Sequence, residues 1–476
     1  MAFLHSHSCE CAKSELDLFA VPSTQTTIES GRWIPFKNVS SLTDDGPLEF
    51  SITGRSDEFM DLAHTMLHVV VKVTKDDGTD LAATDELAPV NNLLHSMFSQ
   101  VDVYLNEKLI SPPNNTYAYK CYIESLLNYG PDAKDSHLSS ALWYGDTSSK
   151  MDILGATNNG YKIRKEFAAG SKHIDLIGHL RGDIFNQEKF LLNGVDLRVK
   201  MVRSRDNFVL MSNSSGKLKI IDATLMIRKV KINPSVMLSL TNVLEKTTAK
   251  YPITRTEIKV LTLPAGIQSK SLDNMYLGQL PKRVIIGFVT NKAFNGHYKF
   301  NPFNFQHFNM NFLALYVDGN QLPSKPLQPD FGADNKLFVN MYHTLFSGTD
   351  SRQRYDGGYT LIAFDLTPDL SASSTSHWNL VKSGNLRIEV GFKEALNETI
   401  IAVNKHICNK IYLFILPNQL LVRAVLPRRR PSRRAAVRPA PLPSVPSCRR
   451  PSRRAAARPA APEEGHYPQP SPYLVH

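Results

Sequence analysis

His5, His7, Cys9 and Cys11 alternate along the first residues of the chain, and imidazole nitrogens with thiolates are the donors that zinc prefers. Four ligands so close together on one segment ordinarily need a second pair from elsewhere to close a tetrahedral site. A plain solvated arm without metal is therefore expected. Arg181-Gly182-Asp183 spells a tripeptide that integrins read on exposed loop tips. Here it ends an apolar run, IDLIGHLRGDIF, beside Phe185, so a structural role is expected. Arg428, Arg429, Arg430, Arg433 and Arg434 open a low-complexity segment, RRRPSRRAAVRPA at 428–440, which recurs as RRPSRRAAARPA at 449–460. Arginines that contact phosphates release counterions, so this segment suits neutralisation of DNA or a nuclear localisation signal. An unselected translation product of the same composition is the other reading.

The remaining chemistry is sparse. No P-loop, GxGxxG after a strand, HExxH or GxSxG occurs, and the 15 His are dispersed. No catalytic, cofactor-binding or metal-binding residues are expected, and no enzymatic activity. Cys9, Cys11, Cys121, Cys408 and Cys448 are an odd, scattered set without the spacing of a disulfide framework. The N-terminus has no uninterrupted apolar core of a signal peptide, which points to an intracellular protein. The sequons at Asn38, Asn114, Asn213 and Asn397 would then go unused. The run IYLFIL at 411–416 is far short of a membrane span.

Charge is just as localised. The net charge is +11, but residues 423–476 hold 12 Arg against Glu463 and Glu464, so the tail carries +10 and the other 422 residues +1. Nothing in the body argues for a polyanion-binding surface.

The body is organised around a duplicated stretch. VNNLLHSMFSQVDVYLNEKLISPPNNTYAYKCYIESLLNYG at 90–130 is answered some 210 residues later by FNFQHFNMNFLALYVDGNQL and KLFVNMYHTLFSG. Each copy runs from an Asn/His/Phe-rich loop into a strand of period two. Val101, Val103 and Leu105 share one face in the first copy, and Leu313, Leu315 and Val317 in the second. Tyr104 and Tyr316 fall on the opposite face. Turns come next at Asn106-Glu107 and at Asp318-Gly319, where Gly tolerates positive φ, and then a short amphipathic helix. Tyr122, Leu126, Leu127 and Gly130 there match Tyr342, Leu345, Phe346 and Gly348.

Three further runs match in the same order: HVVVKVT at 68–74 with RVIIGFVT at 283–290, IDLIGHL at 174–180 with TLIAFDL at 360–366, and LRVKMVRS at 197–204 with LRIEVGFK at 386–393. The run MLHVVVKVT at 66–74 suggests a strand buried on both faces, and a second helical segment is expected over DSHLSSALWYGD at 135–146. Many short strands broken by turns predict an all-β chain with a few inserted helices: two eight-stranded sandwiches forming a double jelly roll. The expected division is an N-terminal arm at 1–45, anchored by Trp33, Ile34 and Phe36, a first jelly roll at 46–240, and a linker at 241–254 whose helix Pro252 ends. A second jelly roll at 255–426 and a disordered tail at 427–476 complete it. A generic pair of immunoglobulin-type or lectin-type sandwiches is the competing architecture.

SELDLFAVPSTQTTIESG at 14–31, PVNNLLHSMFSQVDVYLN at 89–106, NTYAYKCYIESLLNYG at 115–130, FLLNGVDLRVKMVRS at 190–204, AKYPI at 249–253 and NPFNFQHFN at 301–309 make residues 1 to about 403 resemble one family. It is the hexon-type major capsid protein of Polinton (Maverick) elements and adintoviruses. The resemblance implies a homotrimeric double jelly-roll capsomer that tiles an icosahedral virion shell around double-stranded DNA. Its implied partners are itself, neighbouring capsomers and a penton-type minor capsid protein, with assembly in the virion and a nuclear phase. From Asn404 the wording departs from the family pattern, which leaves the closing strand of the second jelly roll outside what the resemblance implies. A jelly-roll binding protein, glycan-binding or domesticated, is the alternative. The loops at 111–117 and 291–312 are too long and too aromatic for idle linkers, so Tyr117, Phe303, Phe305 and Phe308 are candidates for the trimer interface.

Overall fold

A computed structural model of the chain describes residues 16, 18–19 and 21–414, apart from 44–45, 55–56, 333–335, 346–351, 373 and 375–376. The first half contributes strands β1 (Ile28–Lys37), β2 (Leu48–Ile52), β3 (Glu58–Lys75), β4 (Leu87–Pro89), β5 (Phe98–Leu105), β6 (Lys108–Leu109), β7 (His173–His179), β8 (Leu197–Arg203), β9 (Leu210–Ser212) and β10 (Gly216–Ile232). The second contributes β11 (Ala249–Leu263), β12 (Ser269–Gln279), β13 (Arg283–Thr290), β14 (Met310–Val317), β15 (Asn320–Leu327), β16 (Leu361–Asp365), β17 (Ser383–Phe392) and β18 (Ile400–Phe414).

Strand order is the same in both halves. The first sandwich pairs a β1-β10-β3-β7 sheet with a β2-β8-β5-β6 sheet, and the second pairs β11-β18-β13-β16 with β12-β17-β14-β15. Successive strands cross between facing sheets in Greek-key fashion, and among the described residues the small β4–β9 pair is the one added sheet. The fold is a double jelly roll.

The duplication holds at the level of single residues. Val103 pairs with Val199 and Leu315 with Ile388, and all four are buried. Asn106 and Glu107 both have positive φ, as do Asp318 and Gly319, which are the backbone angles of a two-residue hairpin turn. The Asn106 amide N–H donates to the Asp196 carbonyl (3.0 Å), and the Asn106 side chain accepts from the Asp196 N–H (2.8 Å). Asp318 makes the same two bonds with Asn385, at 3.0 and 2.8 Å.

The connections between strands include the helices α1 (Tyr117–Asn128), α2 (Asn159–Ala168), α3 (Pro234–Leu244) and α4 (Val339–His343), the last being the counterpart of α1 in the repeat. The helix expected over 135–146 is a 3-10 segment, His137–Ala141. The connection after it holds α2, which is capped by the Asn158 side chain. Phe346 and Gly348 of the repeat lie outside the described residues.

Three expectations need correction, and one open point closes. Residues 28–37 pair along β10 and so belong to the first sandwich, although Trp33 stays partly exposed at this sheet edge. Helix α3 ends at Leu244, and Pro252 lies inside β11 rather than ending a linker. Proline fits there because β11 is an edge strand with a neighbour on one side alone. The run 66–74 alternates: Leu67, Val69, Val71 and Val73 are buried, whereas His68, Val70 and Lys72 are half-buried. The departure at Asn404 does not open the second jelly roll, since β18 is a 15-residue strand paired with both β11 and β13.

Candidate functional site

Helix α1 stands between the two jelly rolls, and 11 of its 12 residues are buried. Tyr117 and Cys121, one turn apart, belong to the core of the first sandwich. Ala118, Tyr119, Tyr122, Ile123, Leu126 and Leu127 belong to the core of the second. The helix is buried all round, so its polar residues face the interior rather than solvent.

The loop 291–312 meets this second face. Phe303 stacks flat on Tyr122 with ring centroids 4.1 Å apart, and Tyr119 lies edge-on to Phe303 (5.6 Å) and Phe305 (6.3 Å). Phe303 and Phe305 are 0% exposed and Tyr117 6%. These three candidates for a trimer interface are therefore interior residues of one chain: Phe303 and Phe305 join its halves, and Tyr117 sits in the first core. Aromatic enrichment marks buried interfaces of either kind, which is why composition could not separate them. Phe308 is half-buried and keeps a surface.

The polar side chains of α1 enter a buried ion network. Lys120 pairs with Asp183, and Arg255 of β11 reaches the other Asp183 oxygen at 3.3 Å. Glu124, one turn on, pairs with Lys405 of β18 at 3.1 Å. Burial pushes the Lys120 ammonium down, but Asp183 and Glu124 outweigh it and hold the group above its ordinary range. Burial likewise opposes the Glu124 carboxylate, and Lys405 with Lys120 still keeps it below the usual range. A cavity of about 30 Å³ beside Lys120, Asp183 and Arg255 has room for water and no more. Asp183 is thus the hub of a junction rather than a receptor ligand, and Arg181 stacks 4.7 Å over the Tyr129 ring.

A second buried hub joins the loops above. The Asp146 carboxylate accepts from Arg164 of α2 (2.7 Å), Asn158 (2.9 Å) and Asn301 (2.8 Å), while Tyr359 donates to its carbonyl (2.6 Å). Two of these partners come from each half of the chain. The sequence held no signal for this hub beyond ordinary polar residues in long connections.

The remaining chemistry stays inert. Burial raises the Cys121 thiol to about 12 and also raises that of Cys408, so neither is a ready thiolate. Among the described residues no group of His, Cys, Asp and Glu is placed to hold a metal ion, and no helix is long and apolar enough to cross a membrane. His5, His7, Cys9 and Cys11, and the tail arginines Arg428, Arg429, Arg430, Arg433 and Arg434, lie outside the described residues.

The outward tyrosines of the repeat are capped rather than open. The Arg198 guanidinium lies 4.3 Å over Tyr104 and that of Arg387 lies 4.3 Å over Tyr316. Each arginine also bonds a carboxylate, Glu49 at 3.0 Å and Glu389 at 3.1 Å. The same cation-π rung on both outer sheet faces supports each hairpin and leaves neither tyrosine a bare stacking platform.

The geometry defines a class, the double jelly-roll proteins, and comparison agrees. No protein-family model matches the chain. An uncharacterized protein of Caenorhabditis elegans is 24% identical over 399 residues, which span 79% of this chain and 92% of that one. Among solved structures the chain is similar in fold to a chain of the Sputnik virophage, with a TM-score of 0.58, 12% identity and coverage of 88% of this chain and 95% of that one. A chain of the PBCV-1 virus capsid gives 0.53, 8%, 83% and 97%. The mavirus major capsid protein gives 0.50, 10%, 89% and 99%.

Proposed function

We propose that this chain is a major capsid subunit of the Polinton and adintovirus kind, a structural protein rather than a catalyst. Three copies form a pseudo-hexameric capsomer of an icosahedral shell around double-stranded DNA. The observation that carries this reading is the pair of jelly rolls with one strand order, fused through α1 into a single compact unit. Three such units give six near-equivalent wedges around a threefold axis, a shape that packs among six neighbours. Solved structures of similar fold come from a virophage and a virus capsid and include a major capsid protein.

Within this reading the partners are other copies of the chain, neighbouring capsomers and a penton-type minor capsid protein. The Arg-rich tail contacts DNA or directs nuclear entry before assembly, and the finished protein resides in the virion. Phe308 remains as a trimer-contact residue, together with exposed sheet edges. A glycan-binding role is less favoured, because the outer tyrosines are covered by arginines.

Light scattering and electron microscopy of the purified full chain test the proposal. The expected species has three times the 53.3 kDa chain mass and a pseudo-hexagonal outline. A folded, stable monomer at micromolar concentration would reduce the capsid reading to ancestry.

A further inference from the structure

Two apolar features are uncovered on the surface, and they meet at one hydrogen bond. The segment before β1 exposes Leu16 (74%), Leu18 (77%), Phe19 (96%) and Val21 (87%). Helix α3 has no charged residue in its 11, PSVMLSLTNVL, and none of the 11 is buried. Val236, Met237 and Leu244 pack partly on the first core, while Leu238, Leu240 and Val243 face outward, 52, 38 and 55% exposed. An uncharged helix with apolar residues on its outer side is out of keeping with a permanently solvated face. The Asn233 N–H at the foot of α3 donates to the Thr27 carbonyl at 2.9 Å, so the arm is rooted beside the helix. It nevertheless leaves the helix bare in the single chain.

We infer that the arm of one copy lies on α3 of a second copy, so that each chain donates an arm and accepts one. This rests on the self-assembly proposed for the capsid subunit. The two uncovered sets share apolarity, and their flanks carry opposite net charge: the arm alternates acid and apolar residues, Glu15-Leu16-Asp17-Leu18, and α3 is followed by exposed Lys246 and Lys250 against the single carboxylate of Glu245. The dozen residues from Leu16 to Thr27 span roughly 40 Å when extended, enough to run the whole length of an 11-residue helix of about 16 Å. Such a contact is heterologous, the kind that closes rings or links one ring to the next.

The test is disulfide formation between two differently tagged full-length chains made together, one carrying Phe19→Cys and the other Leu240→Cys, with Cys9, Cys11 and Cys448 changed to Ser in both. Several-fold more disulfide between the two tags than in either single-variant control is the expected result. A chain carrying both substitutions that links only within itself, or no linkage at all, overturns the inference. Light scattering on the same samples separates the two proposals: oligomers without the disulfide remove the arm contact alone, whereas monomers remove the capsid reading as well.

Discussion

At the scale of single residues, His406 is a costly side chain of the second sandwich. It is 0% exposed, both ring nitrogens lack a hydrogen-bond partner, and the Tyr276 ring of the opposite sheet lies 4.8 Å away. Burial lowers its pKa to about 3, against roughly 6.5 for a free imidazole. The unfolded chain therefore binds a proton between those values that the folded chain refuses, and stability falls as pH drops through that window. The slope approaches about 1.4 kcal/mol per pH unit. Chemical denaturation between pH 7 and 4.5 should show this loss, and His406→Phe should flatten it while raising stability at neutral pH. An unchanged slope would mean the imidazole is solvated after all. The Glu124 carboxylate is held below its ordinary range, so its contribution persists above the unfolded value near 4.3 and is lost only as pH falls through its lowered one. Between pH 7 and 4.5 the Glu124 contribution is therefore still in place, and the two windows overlap only at lower pH. None of this was legible beforehand, because a histidine in NKHICNK gives no sign of which face of a strand it occupies.

At the scale of elements, the matched runs were readable and their surroundings were not. A period of two with a turn residue at its end is a local signal, and it located β5, β14 and both hairpins. What α1 touches is a long-range fact. Its sequence shows an apolar helix, while the partners of Tyr122 and Glu124 sit at Phe303 and Lys405, nearly two hundred residues or more away. Strand β18 is the sharper case, since the wording of the chain changes at Asn404 in the middle of a central strand. Truncation after residue 403 strips the partners of Ala249–Lys259 on one side and of Arg283–Ile286 on the other. It also leaves buried Glu124 without Lys405, and breaking such a pair costs about 3–5 kcal/mol. A chain ending at 403 should be insoluble or lack a cooperative melt, whereas one ending at 414 should melt like the full chain. Equal melting of the two would show that β18 is dispensable.

At the scale of the whole molecule, the question is whether the duplicated halves are two domains or one. Their equal strand orders suggest units that once folded separately, and sequence alone favoured a linker between them. The packing says otherwise. Tyr119, Tyr122, Ile123, Leu126 and Leu127 project from the first half into the core of the second, and burying side chains of this size is worth about 1.5–3 kcal/mol each. Five of them together match the roughly 5–15 kcal/mol by which a whole domain is stable. The first jelly roll on its own would expose that face, and would leave Lys120 and Glu124 without Arg255 and Lys405 nearby. Residues 21–247 expressed alone should therefore aggregate or bind a hydrophobic dye, and the full chain should unfold in one calorimetric transition with the two sandwiches melting together. A soluble half-chain with its own sharp melt would instead make α1 a replaceable contact. In that event the two sandwiches could shift against each other, and the fixed wedge on which a pseudo-hexameric ring depends would be lost.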